Sequence, residues 1–162
     1  MTEQTKSNTQ KKEDNPTDSA QFMIQRIYMK DSSFEAPNTP SIFQQEWQPE
    51  LSLELNFDHQ ELEPTVYEVI LTVTATVKNK ETFAFLAEVK QAGVFTISGV
   101  PEDQLNHLLG SFCPSVLFPY ARTVITSHVI HGSFPQLVLA PINFDALYLQ
   151  KLQEKEKAAL VQ

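Results

Sequence analysis

From Thr65 to Lys78 the sequence alternates with a period of two. Tyr67, Val69, Leu71, Val73, Ala75 and Val77 fall on one side, and Glu68, Thr72, Thr74 and Thr76 on the other. Side chains of an extended chain point alternately to opposite faces, so an alternation this long specifies a strand with one buried face. Asn79 and Lys80 then turn the chain, and Phe83, Phe85, Ala87 and Val89 resume the pattern over Thr82 to Val89. Two such runs across a short polar break predict an antiparallel hairpin. Whatever else the chain forms must cover the apolar face of that hairpin.

Two further strands are expected before it. Leu51, Leu53, Leu55 and Phe57 alternate with Ser52, Glu54, Asn56 and Asp58, the pattern of a half-buried strand. Phe22 to Phe34 is rich in strand-forming residues but places Phe22, Met23, Ile24, Ile27, Tyr28 and Met29 on both faces. Asn38-Thr39-Pro40 breaks it. Glu61 and Glu63 are expected in a polar loop, and Gly93 is expected to kink the strand that carries Val94, Phe95 and Ile97.

After Pro101-Glu102-Asp103, a helix-start composition, the period changes. Leu105, Leu108, Leu109, Phe112, Val116 and Leu117 follow at helical spacing, with Pro114 and Pro119 expected to kink or divide the helix. Tyr120 to His131 continues it and Gly132 is the expected C-cap. An extended link over Phe134 to Pro141 precedes a last helix capped by Asn143, from Phe144 to about Leu160. Strands followed by helices make this an α+β chain with the helices on one face of the sheet. We read residues 1–20, polar and without apolar periodicity, as a disordered tail. Residues 21–150 form one domain, and 151–162 are the end of the last helix and a flexible tail.

A net charge of −8 excludes a nucleic-acid backbone or anionic lipid as the ligand, since those need clustered Lys and Arg. The 162 residues can form one ordinary domain, whose surplus apolar surface is available for self-association or partners. The first twenty residues lack an apolar stretch, no run is expected to approach a membrane span, and a single cysteine allows no internal disulfide. These features point to the cytoplasm, with no direct insertion into a membrane.

Chemistry for catalysis is sparse. None of the four glycines sits in a phosphate-cradling loop, and no cofactor is expected. His128 and His131 lie three apart on a helix but lack a third ligand at suitable spacing, so a bland surface or interface role is favoured over a metal site. Cys113 has only His107 as a nearby base in sequence; a packed apolar thiol is favoured over a nucleophile. The chain is read as no enzyme. Phe43 and Trp47, between Pro40 and Pro49, are more informative. They either plug the core or line an apolar groove for extended polypeptide, and the residues alone leave both open.

Several longer stretches carry a resemblance. Gln25-Arg26-Ile27-Tyr28-Met29-Lys30-Asp31-Ser32-Ser33-Phe34-Glu35-Ala36-Pro37-Asn38 resembles the opening signature of the SecB family of bacterial export chaperones. So do Trp47-Gln48-Pro49-Glu50, Val66-Tyr67-Glu68-Val69, and Cys113-Pro114 leading to Leu117-Phe118-Pro119-Tyr120-Ala121-Arg122. Phe134-Pro135-Gln136-Leu137 and Leu139-Ala140-Pro141-Ile142-Asn143-Phe144-Asp145-Ala146-Leu147 complete the set, which spans about Phe22 to Leu149 in the family's order. Ala92 departs from it, standing where the family usually has the first of two glycines, and Lys-rich sequence replaces the acidic C-terminal tail of some members.

The resemblance implies a four-stranded antiparallel sheet with a long helix and a C-terminal helix, assembled as a homotetramer, a dimer of dimers. It implies an ATP-independent holdase that binds unfolded precursor proteins, keeps them translocation-competent and delivers them to the SecA ATPase. Carried over by position, the client groove involves Phe43, Trp47, Leu51, Leu53, Leu55 and Tyr148. SecA contact involves Asp31, Glu35, Leu86 and Glu88. The alternation independently turns Leu86 and Glu88 away from Phe85, Ala87 and Val89, hence toward solvent. The alternative within the same fold is a general stress or antitoxin-associated chaperone without SecA dependence.

Overall fold

In the computed structural model, which describes residues 19–161, four long strands form one antiparallel sheet: β1 (Gln21–Glu35), β2 (Pro49–Glu63), β3 (Val66–Asn79) and β4 (Thr82–Ser98). Their order is β1-β4-β3-β2, so the hairpin legible in the sequence forms the centre and β1 and β2 are the edges. The expected tail falls almost wholly on residues outside the described ones.

The buried side of the hairpin is Val69, Leu71, Val73, Ala75 and Val77 on β3 with Phe85, Ala87, Val89, Phe95 and Ile97 on β4. Across it lie α1 (Glu102–His107), a π-helical turn (Leu108–Phe112) and α2 (Cys113–His131), which form one continuous helix. Leu109, Cys113, Leu117, Ala121, Ile125 and Val129 are its buried line, repeating every four residues. An extended link leads to α3 (Phe144–Leu160), where Asn143 Oδ1 accepts from the Ala146 N–H at 3.0 Å, the expected N-cap.

Several expectations are corrected. Pro114 and Pro119 do not divide the helix. Pro114 sits in the first turn of α2, immediately after the backbone has opened into the π turn, so its missing N–H falls where the ladder is already altered. The helix runs unbroken through Pro119. Glu61 and Glu63 belong to β2, which continues until a tight turn at Pro64-Thr65. Asn79 belongs to β3, and Lys80-Glu81 make the turn, with Lys80 at φ 57°. Gly132 is the C-cap of α2, as expected, with right-handed geometry, and Ser133 after it takes the left-handed conformation.

Gly93 does not kink β4, whose pairing with β3 is continuous through it. The irregularities lie elsewhere: in β1, register shifts between Ile24 and Arg26 and between Met29 and Asp31 leave Gln25 and Lys30 as extra residues, and further shifts leave Ala84 extra in β4 and Leu62 extra in β2. Finally, the helix Glu102–His131 is 30 residues long and apolar enough, by length and composition, to cross a membrane. That overturns the expectation that no run approaches a span. Half of its apolar window is buried, as in a core helix packed on a sheet.

Candidate functional site

The helices cover the middle of the sheet and leave its edges partly open. On β2, Leu51, Leu53, Leu55 and Phe57 pair with Val77, Ala75, Val73 and Leu71, so all four share the helix-covered face. Yet Leu51 stays 43% exposed and Leu53, Leu55 and Phe57 are only half-buried. They form an apolar row about 20 Å long, at ~3.3 Å per residue, on a strand whose outer edge is unpaired among the described residues.

At one end of the row lies an aromatic cluster. The chain after β1 makes a short 3-10 turn, Ser41–Gln44, that buries Ile42 and leaves Phe43 half exposed. The rings of Phe43 and Trp47 stand 5.2 and 5.8 Å from Phe134, which also touches Phe85 at 4.8 Å. A cleft of about 350 Å³ opens between Phe43, Trp47, Phe134 and Pro135. Trp47 packs against the core cluster and also lines this cleft. At the far end, Phe57 and Tyr148 border a second cleft of about 460 Å³, where Lys151 Nζ lies 3.7 Å over the Phe57 ring.

The six residues expected in a groove are thus spread along one line. Phe43 and Trp47 mark its start, Leu51, Leu53 and Leu55 its middle, and Tyr148 its end. Phe57 and Phe134 border the same line and were not among the residues expected there. Phe57 was legible as the next apolar position of the β2 alternation; nothing in local pattern points Phe134 at Trp47.

The opposite, open face of the sheet carries the second set. Glu35 pairs with Leu86, Ser33 with Glu88 and Asp31 with Lys90, so Asp31, Glu35, Leu86 and Glu88 share three successive rungs. The Thr74 hydroxyl donates to Glu88 at 2.8 Å. Lys90 stands in the same patch and was not anticipated.

Beside it is a buried carboxylate. Glu68, 6% exposed, accepts from the Tyr28 hydroxyl, from Lys30 Nζ at 3.1 and 3.2 Å, and from Gln60 Nε2 at 2.9 Å. The Tyr28 bond, with Lys30 and Gln60, holds its pKa below the usual carboxylate value against the opposing effect of burial. Burial and the carboxylate beside it push the Tyr28 hydroxyl up to about 12.

The residues weighed for catalysis are elsewhere engaged. Cys113 is fully buried, and burial pushes its thiol up to about 12, away from the thiolate a nucleophile needs. His107 meets Asp145 at 3.0 Å instead, on the carboxylate that also takes the Ser111 hydroxyl. With the carboxylate between serine and histidine, the hydroxyl bonds the acid and not the imidazole, which is not the order a serine nucleophile requires. His128 stacks on Phe34 at 6.0 Å. Among the described residues no group of three His, Cys, Asp or Glu is placed to hold a metal.

Several known proteins are similar to this chain. A family model described as preprotein translocase subunit SecB matches residues 14–155. A protein-export protein SecB of Legionella pneumophila is 66% identical over 158 residues, covering 98% of this chain and 94% of its own length. The protein-export protein SecB of Pseudomonas savastanoi pv. phaseolicola is 53% identical over 144 residues, 89% of each chain. Among solved structures, a SecB-like chaperone of Mycobacterium tuberculosis in complex with an antitoxin peptide aligns with a TM-score of 0.58 at 17% identity. The alignment covers 75% of this chain and 90% of that one, a likeness of fold.

Proposed function

The chain belongs to the SecB family of protein-export chaperones, and from that premise we propose that it is a cytoplasmic holdase that delivers unfolded precursors to SecA. The observation that carries the holding step is the uncovered apolar row Leu51, Leu53, Leu55 and Phe57, running from the Phe43–Trp47 cleft to Tyr148. An extended segment laid along it buries apolar side chains at about 1.5–3 kcal/mol each when burial is complete, without demanding a particular sequence. Folded proteins do not offer such segments. Binding the unfolded form alone shifts the client's folding equilibrium by mass action, with no nucleotide required.

A homotetramer multiplies this. Contacts on a second subunit become intramolecular once the first is made, so weak, fast contacts add up to firm holding and still yield to a competitor. Support for assembly comes from large apolar side chains left open beside the helix on β1 and on the helix itself, among them Ile24, Met29, Phe112, Tyr120 and Ile130.

Delivery is assigned to the open face. Asp31, Glu35 and Glu88 around Leu86 offer an acidic surface with an apolar centre, suited to the small basic tail of SecA. Opposite charges speed encounter and make binding fall as salt rises. The test is calorimetry of the tail peptide against the parent and Asp31→Lys/Glu88→Lys, beside suppression of client aggregation. The expected result is loss of tail binding with holding intact. Equal tail affinity overturns the docking assignment; loss of both activities makes these residues structural.

A further inference from the structure

The faces of β1 are set by its two bulges. Phe22 and Ile24 share the helix-covered face with Phe95, after the first bulge Ile27 and Met29 share it with Gly93 and Gln91, and after the second Phe34 packs on Phe85. Each extra residue inverts the alternation. Without the one at Lys30, Asp31, Ser33 and Glu35 would turn under the helix and Phe34 would turn to solvent.

Something must keep that bulge in place, and Lys30 has no pairing partner to do it. Its side chain crosses β4 to Glu68 on β3. The crossing is short of obstacles because Ala92, paired with Tyr28 on one side and Ile70 on the other, presents only a methyl there. The carboxylate it reaches is 7% exposed, and a buried carboxylate is tolerated only while its partners are in position. Two of those partners, Tyr28 and Lys30, come from β1, and Gln60 comes from β2. A one-residue slip of β1 removes both β1 donors and leaves the charge buried without them.

We propose that Glu68 is the positioning residue of the acidic docking face: through Lys30 it fixes the β1 bulge, and so holds Asp31 and Glu35 beside Glu88. The docking part rests on the assignment of the open face made above; the bulge part does not. Glu68 itself touches no partner.

The test uses the full-length protein in its native assembly, with the parent, Lys30→Met and Glu68→Gln. Hydrogen exchange over residues 29–35 is expected to quicken by about tenfold in both variants, a 1.4 kcal/mol effect, while β3 is unchanged. Affinity for the basic SecA tail peptide is expected to fall several-fold in both. A pure charge effect predicts otherwise, since Lys30→Met makes the face more negative and Glu68→Gln less, so their affinities would move in opposite directions. The exchange variant Lys30→Glu/Glu68→Lys is expected to restore slow exchange. Lys30 is 38% exposed, so Lys30→Met keeps the test alive if Glu68→Gln fails to fold. Parent-like exchange over 29–35 in Lys30→Met overturns the proposal. If Asp31→Lys/Glu88→Lys abolishes peptide binding while the bridge variants leave it unchanged, positioning is overturned and docking stands. If peptide affinity is unchanged in all of them while exchange responds, docking falls and takes the docking role of Glu68 with it.

Discussion

The Tyr148 ring packs against the bare backbone of Gly110: a Cβ at that glycine would meet the ring at 2.6 Å. The glycine sits in the π turn, and the tyrosine sits one turn into α3, so this contact sets how closely the last helix approaches the long one. The same joint carries the Ser111 hydroxyl and His107 on Asp145.

Gly110→Ala is therefore expected to destabilise by about 1–3 kcal/mol through overpacking, although alanine is the better helix former. Hydrogen exchange should rise first in α3. A higher melting temperature than the parent, which helix propensity alone would give, would show that the ring moves aside freely.

The hairpin, the β2 alternation, the helical line from Leu105 and the Asn143 cap were legible because each is a local pattern with one period. The first strand was not. Its apolar residues on both faces read as contradictory because a period-two rule has no place for Gln25 and Lys30; with both counted as bulges, Phe22, Ile24, Ile27, Met29 and Phe34 all face the helix side. The proline rule misled for a different reason. A proline costs a helix about 3 kcal/mol or more, yet Pro119 lies in a helix whose apolar line is buried on two strands. The residues expected for groove and docking came as sets from family resemblance; local pattern alone reached Phe43 and Trp47, as groove or core plug, and Leu86 and Glu88 as outward-facing. Glu68 was read simply as a polar position, since nothing in sequence joins it to Lys30 across a strand.

Glu68 also makes stability depend on acid. Its folded-state pKa is depressed, chiefly by the Tyr28 hydroxyl, so its contribution is fully present above the unfolded value near 4.5 and is lost as pH falls through the folded value. Asp145, lowered chiefly by the Ser111 hydroxyl, acts in the same direction. In urea titrations the parent should be more stable than Glu68→Gln at neutral pH. That gap should begin to narrow as pH falls below the unfolded value near 4.5. A gap independent of pH down to 3 would mean that the ionised form is not what the network holds.

The open apolar groups beside the helix predict an assembly rather than a free chain. Light scattering at micromolar concentration should give four times the 18.4 kDa chain mass. Tyr120, 51% exposed, borders a cleft with Ile27 and Met29, and Tyr120→Asp should shift the mass downward while leaving the circular dichroism spectrum unchanged. A monomeric parent would refute the assembly outright.

Trp47 supplies the last prediction because it is the single tryptophan and stands where core and cleft meet. Its emission should change when an unfolded client is added and stay constant with the same protein folded. Trp47→Ala removes the ring that faces Phe134 at 5.8 Å and one wall of the cleft. As an anchor, its loss should weaken client binding by about 1–2 kcal/mol, in the range of aromatic residues at interfaces. The same truncation takes a half-buried side chain from the core, so stability should fall as well, by up to about 3–5 kcal/mol if the space cannot close. Phe43→Ala separates the two effects. Phe43 is 49% exposed and walls the same cleft, so its truncation should cost client affinity with little loss of stability. If Phe43→Ala leaves client affinity untouched and Trp47→Ala merely unfolds the protein, the aromatic cluster is a plug for the core and the groove begins at Leu51.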